Sequence, residues 1–332
     1  MRAPAFWQKR FSVRACLLAP LGFLYGVVAA RRLNEPGERA GVPVICVGNF
    51  VMGGAGKTPT AIALAKLLRA QGETPVFLTR GYGGALSSKQ PVVVRPENHA
   101  ARDVGDEALL LARIAPTIVC ADRPEGARTA IAHGASVVIM DDGLQNPSLQ
   151  KDVSLAVIDG GAGVGNGWTF PAGPLRAPLR RQIPLVSIAI IIGGGEPGDR
   201  IAAQLHKAAL RIFRARLAPA QEVANILRSR KVLAFAGIGR PEKFFATLEE
   251  AGAQIVARRS FDDHQPFADE ALRALAQEAR QAKALLVTTE KDYVRLPQDF
   301  DALALPVELE FDRPDLLGQL LEAELKRIRA SR

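Results

Sequence analysis

The chain has 332 residues, of which 48% are hydrophobic and 23% charged, and this balance excludes a disordered or fibrous protein. Its 43 basic and 34 acidic side chains give a formal charge of +9, which favours anionic partners such as nucleic acid, acidic lipid or phosphorylated substrates. Three widely separated cysteines exclude a disulfide framework, and four scattered histidines show no zinc spacing. We therefore expect a folded protein of a reducing, cytosolic compartment.

An almost uninterrupted apolar run occupies residues 15–30, with basic residues on both sides. It is shorter than the about 20 residues that a bilayer span needs, and it contains Pro20 and Gly22. We reject a signal peptide, despite the similar pattern, because the phosphate-binding pattern that follows belongs to cytosolic chemistry. Two alternatives stay open: an interfacial helix anchored by its basic flanks and Trp7, or a plain buried helix.

From residue 42 onward, short apolar strands alternate with helical patterns, which is typical of a parallel sheet covered by helices. The predicted strands are residues 42–47, 75–78, 117–120, 136–140, 155–158 and 185–192. The predicted helices are residues 58–71, 106–114, 123–133 and 201–210, and residues near Pro219 are predicted to be a connection. The fold class is therefore α/β.

A second α/β pattern begins near residue 232, with strands predicted at 232–235, 254–258 and 285–288 and helices at 241–251 and 269–282. We divide the chain into an N-terminal membrane-interacting helix (1–32), a larger domain (33–222) and a second, smaller α/β domain (223–306). A strand and a helix in residues 307–332 are expected to pack back on the body.

A glycine-rich loop lies between the first predicted strand and the helix that follows it. The loop consists of Val51, Met52, Gly53, Gly54, Ala55, Gly56, Lys57 and Thr58. Glycines let backbone N–H groups converge on phosphate oxygens, and the start of the helix adds a positive end. Lys57 suits the β- and γ-phosphates, and the Thr58 hydroxyl suits Mg²⁺. The pattern predicts a P-loop NTPase-like sheet that binds ATP with Mg²⁺ and transfers a phosphoryl group, although Val51 replaces the first glycine of the strict motif.

Asp141 and Asp142 follow the predicted strand at residues 136–140. A carboxylate at a strand end beside a P-loop holds magnesium in this class of site. Adjacent aspartates point in different directions, so we expect one to hold the metal and the other to orient a neighbour. The sequence leaves open which does which. Alone, Asp-Asp-Gly would also fit an ordinary turn.

These motifs occur in order with several others: Thr79-Arg80-Gly81-Tyr82-Gly83-Gly84, Gly105-Asp106-Glu107, Asp141-Asp142-Gly143-Leu144-Gln145, Gly165-Asn166-Gly167, Pro171-Ala172-Gly173-Pro174-Leu175-Arg176, Phe261-Asp262-Asp263-His264 and Thr288-Thr289-Glu290-Lys291-Asp292. With this set the chain resembles the tetraacyldisaccharide 4′-kinase family of Gram-negative bacteria. The matching pieces span most of the chain. The family's loop also lacks the strict first glycine.

The resemblance implies ATP-dependent phosphorylation of the 4′-hydroxyl of a tetraacyldisaccharide 1-phosphate, which forms lipid IVA. It places the enzyme at the cytoplasmic face of the inner membrane, as a peripheral or monotopic protein held by its N-terminal helix. It implies that Asp106 and His264 act as a base-and-orienter pair, together with Lys57 in catalysis. A cap at the start of a helix is the alternative role for Asp106. Tentative substrate contacts are the anion-binding Arg80 and Arg176 and the polar Gln145 and Asn166.

An anionic glycolipid at an anionic membrane surface suits the basic charge of the chain. No basic run is interleaved with aromatic residues, so nucleic acid is not expected as a partner, and no obligate protein partner is inferred. A P-loop ATPase or GTPase for assembly or metal delivery is the alternative function. Four positions depart from the usual family pattern: Leu144, Asn146, Ala177 and Gln265.

Overall fold

The computed structural model describes residues 4–88, 90–262, 265–297 and 299–332. The helices are α1 (Val13–Arg32), α2 (Lys57–Ala70), α3 (Ala101–Val104), α4 (Asp106–Ala112), α5 (Arg123–Ala132), α6 (Leu179–Gln182), α7 (Glu196–Lys207), α8 (Gln221–Leu227), α9 (Pro241–Glu250), α10 (Asp269–Ala282), α11 (Glu290–Tyr293) and α12 (Pro314–Ala330). The strands are β1 (Val44–Gly48), β2 (Pro75–Thr79), β3 (Val92–Val93), β4 (Thr117–Val119), β5 (Val137–Asp141), β6 (Val153–Asp159), β7 (Ile188–Ile192), β8 (Arg211–Pro219), β9 (Lys231–Ala236), β10 (Gln254–Ser260), β11 (Leu285–Thr289), β12 (Leu303–Leu305) and β13 (Val307–Phe311).

The larger sheet has the order β13-β8-β7-β6-β1-β5-β2-β4-β3 in the described part of the chain. Its inner strands, from β8 to β4, pair in parallel, and the edge strands β13 and β3 pair antiparallel with their neighbours. Strands β1, β5 and β7 are buried along their whole length, because helices cover both faces of a parallel sheet. The predicted α/β class with a parallel sheet is confirmed.

Both faces of this sheet carry a hydrophobic core. Helices α2 and α12 cover one face, where Leu64 and Leu321 are fully buried. Helices α5 and α7 cover the other face, where Ala130 and Leu205 are fully buried. Each fully buried leucine contributes roughly 1.5–3 kcal/mol of burial free energy, so the two cores fix the strand ends firmly relative to one another.

Strand β1 lies at the centre of the sheet, between β5 and β6. The chain leaves β1 towards β2 and β4 on one side, returns through β5, and continues to β6 on the other side. Ligands of such open α/β sheets bind beyond the carboxyl ends of the strands, at the point where the strand order reverses. The loop after β1 and the end of β5 therefore mark the expected site.

A smaller sheet follows, with the order β10-β9-β11-β12 and parallel pairing throughout. Helices α8 and α9 pack on one face and α10 packs on the other. The predicted boundary at residue 222 falls inside α8, whose Leu227 is buried in the core of the smaller sheet. The chain then returns to the larger sheet through β13, which pairs with β8.

The sequence prediction is wrong between residues 193 and 219. Residues near Pro219 were predicted as a connection, but Arg211–Pro219 form strand β8, which lies between β7 and β13. Its apolar residues alternate with exposed arginines, because one side of this strand is only partly covered. The strand therefore lacks the continuous apolar run by which the inner strands were predicted. Helix α7 begins at Glu196 rather than at residue 201, because Gly195 turns the chain with φ +142° and Pro197 fits a first helical turn.

Helix α1 has 20 residues and is long and apolar enough to cross a membrane. Only 17% of its most apolar stretch is buried against the rest of the protein. One narrow face of small residues packs on the body: a Cβ on Gly22 would lie 2.9 Å from the Thr169 carbonyl oxygen. The Thr169 hydroxyl donates to the Gly22 carbonyl at 2.5 Å. Large apolar side chains on the rest of the helix are exposed, so α1 is not the plain buried helix of the second alternative.

Candidate active site

The glycine-rich loop joins β1 to α2, as the sequence pattern predicts. Gly53 and Gly56 have φ of +105° and +88°, a conformation that L-residues with a side chain rarely adopt. The Asn49 amide donates to the Gly53 carbonyl at 3.1 Å and so braces the loop across its mouth. Lys57 and Thr58 begin α2 and are 8% and 9% exposed. No acidic residue occupies the first turn of this 14-residue helix, so its positive end is available to an anion.

The first half of the loop is held by the segment that ends at Arg176. The Met52 N–H donates to the Pro174 carbonyl at 2.8 Å, and the Arg176 Nε donates to the Val51 carbonyl at 3.0 Å. The Arg176 backbone N–H donates to the Phe50 carbonyl at 3.0 Å. These bonds fix the backbone of residues 50–52 to the segment before α6.

Asp142 lies at the end of β5 and faces two cations. Its Oδ2 accepts from the Arg176 Nη2 at 3.0 Å and lies 3.8 Å from the Lys57 Nζ. Its Oδ1 lies 2.8 Å from the Arg176 Nη1 as an ion pair. Burial tends to raise the pKa of Asp142, but the charges of Lys57 and Arg176 together hold it below its ordinary value. Asp142 is therefore an ionised anchor between the phosphate loop and the Arg176 segment.

Asp141 differs sharply from its neighbour. It is fully buried, and neither of its carboxylate oxygens accepts a hydrogen bond from the described residues. Burial, together with the nearby Glu107 carboxylate, raises the pKa of Asp141 to about 8. A buried carboxylate without hydrogen-bond partners destabilises the fold unless something else satisfies it. A bound cation beside the phosphate loop could do so, and Asp141 is therefore a candidate metal ligand.

The structure gives internal partners to two of the predicted substrate contacts. The Gln145 amide donates to the Asn49 carbonyl at 2.7 Å and to the Gln182 side chain at 2.8 Å, so it supports the phosphate loop. The Asn166 amide donates to the Ala172 carbonyl at 3.0 Å and shapes the segment before Arg176. Arg80 is exposed at the end of β2. Contact of these residues with substrate stays a prediction.

The predicted base, Asp106, begins α4 and is 4% exposed. One carboxylate oxygen accepts the Glu107 N–H at 2.8 Å, and the other lies 3.9 Å from the Arg295 Nε of the smaller sheet's unit. Glu107 interacts electrostatically with Asp141, so the start of α4 lies close to the end of β5. His264, the other predicted member of the pair, lies outside the described residues.

The sequence reading missed Arg123, which begins α5 after β4. Its side chain is 3% exposed, its Nη1 donates to the Cys120 carbonyl at 2.6 Å, and its Nε has no partner among the described residues. It interacts electrostatically with Asp141, Asp142 and Arg80. The available signal was Asp122-Arg123-Pro124 directly after a predicted strand, at the same edge of the sheet as the Asp pair.

Two of the four departures from the family pattern, Leu144 and Ala177, are buried side chains. Leu144 is buried against Gly48, where a Cβ would lie 2.5 Å from the Leu144 Cβ. The Ala177 carbonyl accepts from the Gln182 amide at 2.6 Å. The Asn146 side chain accepts from the Ser148 N–H at 2.9 Å. The fourth, Gln265, offers its carbonyl to Arg295 at 3.0 Å.

Strand, glycine loop and helix, with a lysine and a threonine at the helix start and a buried aspartate at the neighbouring strand end, define a P-loop phosphotransferase. The comparisons narrow this class to one family. The chain belongs to the tetraacyldisaccharide-1-P 4′-kinase family, whose sequence model it matches over residues 14–326.

Relatives and a solved structure agree with this assignment. The chain is 55% identical to the tetraacyldisaccharide 4′-kinase of Methylobacterium radiotolerans, over 98% of this chain and 99% of the relative. It is 50% identical to that of Bradyrhizobium sp. (strain ORS 278), over the full length of both. The crystal structure of LpxK from Aquifex aeolicus, in complex with ATP, superposes with a TM-score of 0.73 at 23% identity, covering 94% of this chain and 99% of that one. The likeness to this structure confirms the fold.

Gly56→Ala should reduce the free energy of unfolding by more than the roughly 1–2 kcal/mol that a left-handed alanine costs. A Cβ at this position would also lie 2.5 Å from the Ile192 Cδ1. Gly53→Ala is the matched control, because φ is +105° there but no atom lies within 4 Å of the added Cβ. Urea unfolding monitored by circular dichroism measures both. Gly56→Ala should cost less stability in an Ile192→Val background than in wild type, because the atom that it meets is then absent. An equal cost in both backgrounds would contradict the packing described.

Proposed function

We propose that this chain transfers the γ-phosphate of ATP to the 4′-hydroxyl of a tetraacyldisaccharide 1-phosphate and so forms lipid IVA. The observation that carries the proposal is the phosphate loop with Lys57 and Thr58 beside the buried Asp141, which accepts no hydrogen bond from the described part of the chain, in a chain of this family. The fold and the family membership favour a kinase over the alternative of a P-loop ATPase or GTPase for assembly or metal delivery.

The phosphate groups of ATP fit the loop from Val51 to Thr58. Its backbone N–H groups and the start of α2 offer partial positive charge, and Lys57 adds a full one. Lys57 lies 3.8 Å from Asp142 and is largely buried, so its ammonium group is held near the loop rather than free in solvent. In this position it can follow the charge that moves from the γ- to the β-phosphate during transfer.

The residues present fit a magnesium ion. Among the described residues no group of three or more His, Cys, Asp or Glu could hold a metal by itself. Mg²⁺ needs few protein ligands, because it keeps waters and binds phosphate oxygens. Asp141 and the Thr58 hydroxyl would hold it, and Asp142, already paired with Arg176 and Lys57, would hold the loop. Bound there, the ion would neutralise charge on the phosphates.

Asp106 serves as the general base in this proposal. The oxygen of the substrate's 4′-hydroxyl forms a bond to the γ-phosphorus, the bond from that phosphorus to the bridging oxygen of ADP breaks, and the hydroxyl proton passes to the Asp106 carboxylate. Asp106 is almost fully buried, so few water molecules compete with the substrate hydroxyl for its carboxylate. The family resemblance assigns His264 as the group that orients this base.

An anionic glycolipid as substrate agrees with the charge around the site. Arg80 is exposed at the end of β2 and Arg123 is buried at the end of β4. Both lie at the carboxyl edge of the larger sheet, where the exposed Arg80 would bind a substrate phosphate and the buried Arg123 would add positive charge beside it. Arg176 is occupied by Asp142 and Val51, so we assign it to the phosphate loop rather than to the substrate.

The exposed side of α1 fits the proposed location at the cytoplasmic face of the inner membrane. Its large apolar residues are at least half exposed: Val13, Leu17, Leu21, Phe23, Leu24 and Val28. Arg31 and Arg32 end the helix with basic charge. A helix seated by one face on the protein, with apolar side chains on the other, inserts into the interface of a bilayer.

Incubation with ATP, Mg²⁺ and the disaccharide 1-phosphate in detergent should yield a 4′-phosphorylated lipid, detected by mass spectrometry. Lys57→Ala should abolish product because the phosphates lose their only described loop cation. Asp106→Ala should reduce kcat by about 10²–10⁴-fold while the KM for ATP changes little, since a general base acts only on the acceptor.

Asp315→Ala is the matched control, because Asp315 also lies in the first turn of a helix but is exposed and has no part in the proposed mechanism. It should keep wild-type kcat. If wild-type protein binds ATP but forms no phosphorylated lipid, the kinase proposal fails. Steady ATP hydrolysis that ignores the glycolipid would support the ATPase alternative instead.

Leu17→Ser together with Leu24→Ser should weaken sedimentation with anionic phospholipid vesicles by at least about tenfold, because two leucines that insert their side chains are replaced by polar ones. Both leucines are exposed, by 75% and 61%, so the fold should be unchanged. The control is Ile226→Ser together with Leu316→Ser, which removes exposed apolar side chains elsewhere. Equal sedimentation of the two double variants would contradict α1 as the membrane-binding element.

A further inference from the structure

Arg295 lies where the unit of the smaller sheet meets the larger one. It lies in the turn that follows α11, and its side chain is only 7% exposed. Two carboxylates lie against it: Asp292 of its own unit, fully buried, and Asp106 at the start of α4. The predicted base of the phosphoryl transfer therefore has a cation from the other unit as a neighbour.

The guanidinium of Arg295 is fixed in orientation by partners on several sides. Its Nη1 donates to the Gln265 carbonyl at 3.0 Å, and its Nη2 donates to the Gly237 carbonyl at 3.0 Å and pairs with Asp292. The Phe267 ring lies below it, with 5.3 Å from the guanidinium carbon to the ring centre. A planar fork held in this way cannot turn freely, as a lysine could.

Gly237 shows how closely this arrangement is packed. A Cβ there would lie 3.1 Å from the Asp292 Oδ1 and 3.2 Å from the Arg295 Nη2. The Gly237 N–H also donates to the other Asp292 oxygen at 2.9 Å. Asp292 thus keeps partners of its own, because the Thr289 hydroxyl donates to it at 2.7 Å. Asp292 therefore has hydrogen-bond donors other than Arg295.

The Nε of Arg295 donates to the Lys291 carbonyl at 3.3 Å and lies 3.9 Å from the Asp106 Oδ2, which is an ion-pair distance rather than a hydrogen bond. The Asp106 Oδ1 accepts from the Glu107 N–H. A second pair runs beside the first, since the Lys291 Nζ lies 3.6 Å from the Glu107 carboxylate. Lys291 and Arg295 are four residues apart, the spacing at which one side of a helical turn presents both. Two cations of one unit thus meet the two acids that begin α4.

We propose that Arg295 is a positioning residue for the phosphoryl transfer: it orients the Asp106 carboxylate towards the acceptor hydroxyl and joins the smaller unit to the active site. The inference rests on the proposed function, in which Asp106 is the base. A guanidinium fixed at ion-pair distance holds the carboxylate in one place, and a fixed carboxylate avoids the loss of rate that misplacement causes.

The test uses the full-length enzyme with ATP, Mg²⁺ and the disaccharide 1-phosphate, and it measures kcat, the KM for ATP and the melting temperature. Arg295→Met alone would leave Asp292 without its cation, so it is combined with Asp292→Asn. The double variant should lose about 100-fold in kcat, the effect expected of a misplaced catalytic group, with little change in the KM for ATP. Asp292→Asn alone keeps the guanidinium beside Asp106 and should lose far less.

Arg295→Lys keeps the positive charge but not the planar guanidinium. Its kcat should therefore fall between that of wild type and that of the double variant Arg295→Met with Asp292→Asn. A double-mutant cycle separates positioning from a structural role. When Asp106 is already Asn, the change at Arg295 should reduce kcat little further, because the group that it orients is gone. Arg259→Met, which removes an exposed pair with Glu278 in the same unit, should leave kcat unchanged.

Two results would overturn the inference: a folded double variant with wild-type kcat, or an equal fold-loss of kcat in the wild-type and the Asp106→Asn backgrounds. If the double variant does not fold, Arg295→Lys decides, and a wild-type kcat for it would contradict the positioning role. Failure of the proposed function is recognised separately, because wild-type enzyme would then form no phosphorylated lipid at all.

Discussion

The pairing of Arg176 with Asp142 ties together two strand ends of the larger sheet. Arg176 holds the Asp142 carboxylate at the end of β5 with two nitrogens and the Val51 carbonyl, after β1, with the third. Because β1 and β5 are neighbours in a closely packed parallel sheet, one side chain can fix the loop on the first relative to the carboxylates on the second. Among the described residues Asp141 accepts no hydrogen bond, and we propose on this ground that the two adjacent aspartates have different roles.

The segment that carries Arg176 also carries the N-terminal helix. The Trp7 indole donates to the Pro171 carbonyl at 3.1 Å, and the Thr169 hydroxyl donates to the Gly22 carbonyl. A few residues later the same segment holds Met52 and Val51 of the phosphate loop. The element that we assign to the membrane and the loop that we assign to ATP are therefore supported by one stretch of chain. Such an arrangement suits an enzyme whose acceptor is a membrane lipid and whose donor is soluble.

Much of the fold was predictable because the signals were local. Strand β5 and helix α2 follow from an apolar run and from a glycine loop before a periodic helix, and the helix at residues 269–282 agrees with α10. Strand β8 was missed because its exposed arginines follow from its place next to β13, and no local pattern contains that place. The roles that we propose for Asp141, as metal ligand, and for Asp142, as anchor of the loop, likewise depend on Arg176. This residue lies 34 positions after Asp142 in the chain. The burial of Arg123 and the meeting of Arg295 with Asp106 are tertiary facts of the same kind.

Binding of Mn²⁺, in place of Mg²⁺, to the complex with a non-hydrolysable ATP analogue tests the central claim most directly. Electron paramagnetic resonance counts the bound ion in wild type, Asp141→Asn and Asp142→Asn. If Asp141 is the ligand and Asp142 the anchor, Asp141→Asn should weaken Mn²⁺ binding by about 10–100-fold, whereas Asp142→Asn should keep the ion. Retention of the ion by Asp141→Asn, with loss in Asp142→Asn, would contradict the account of the site.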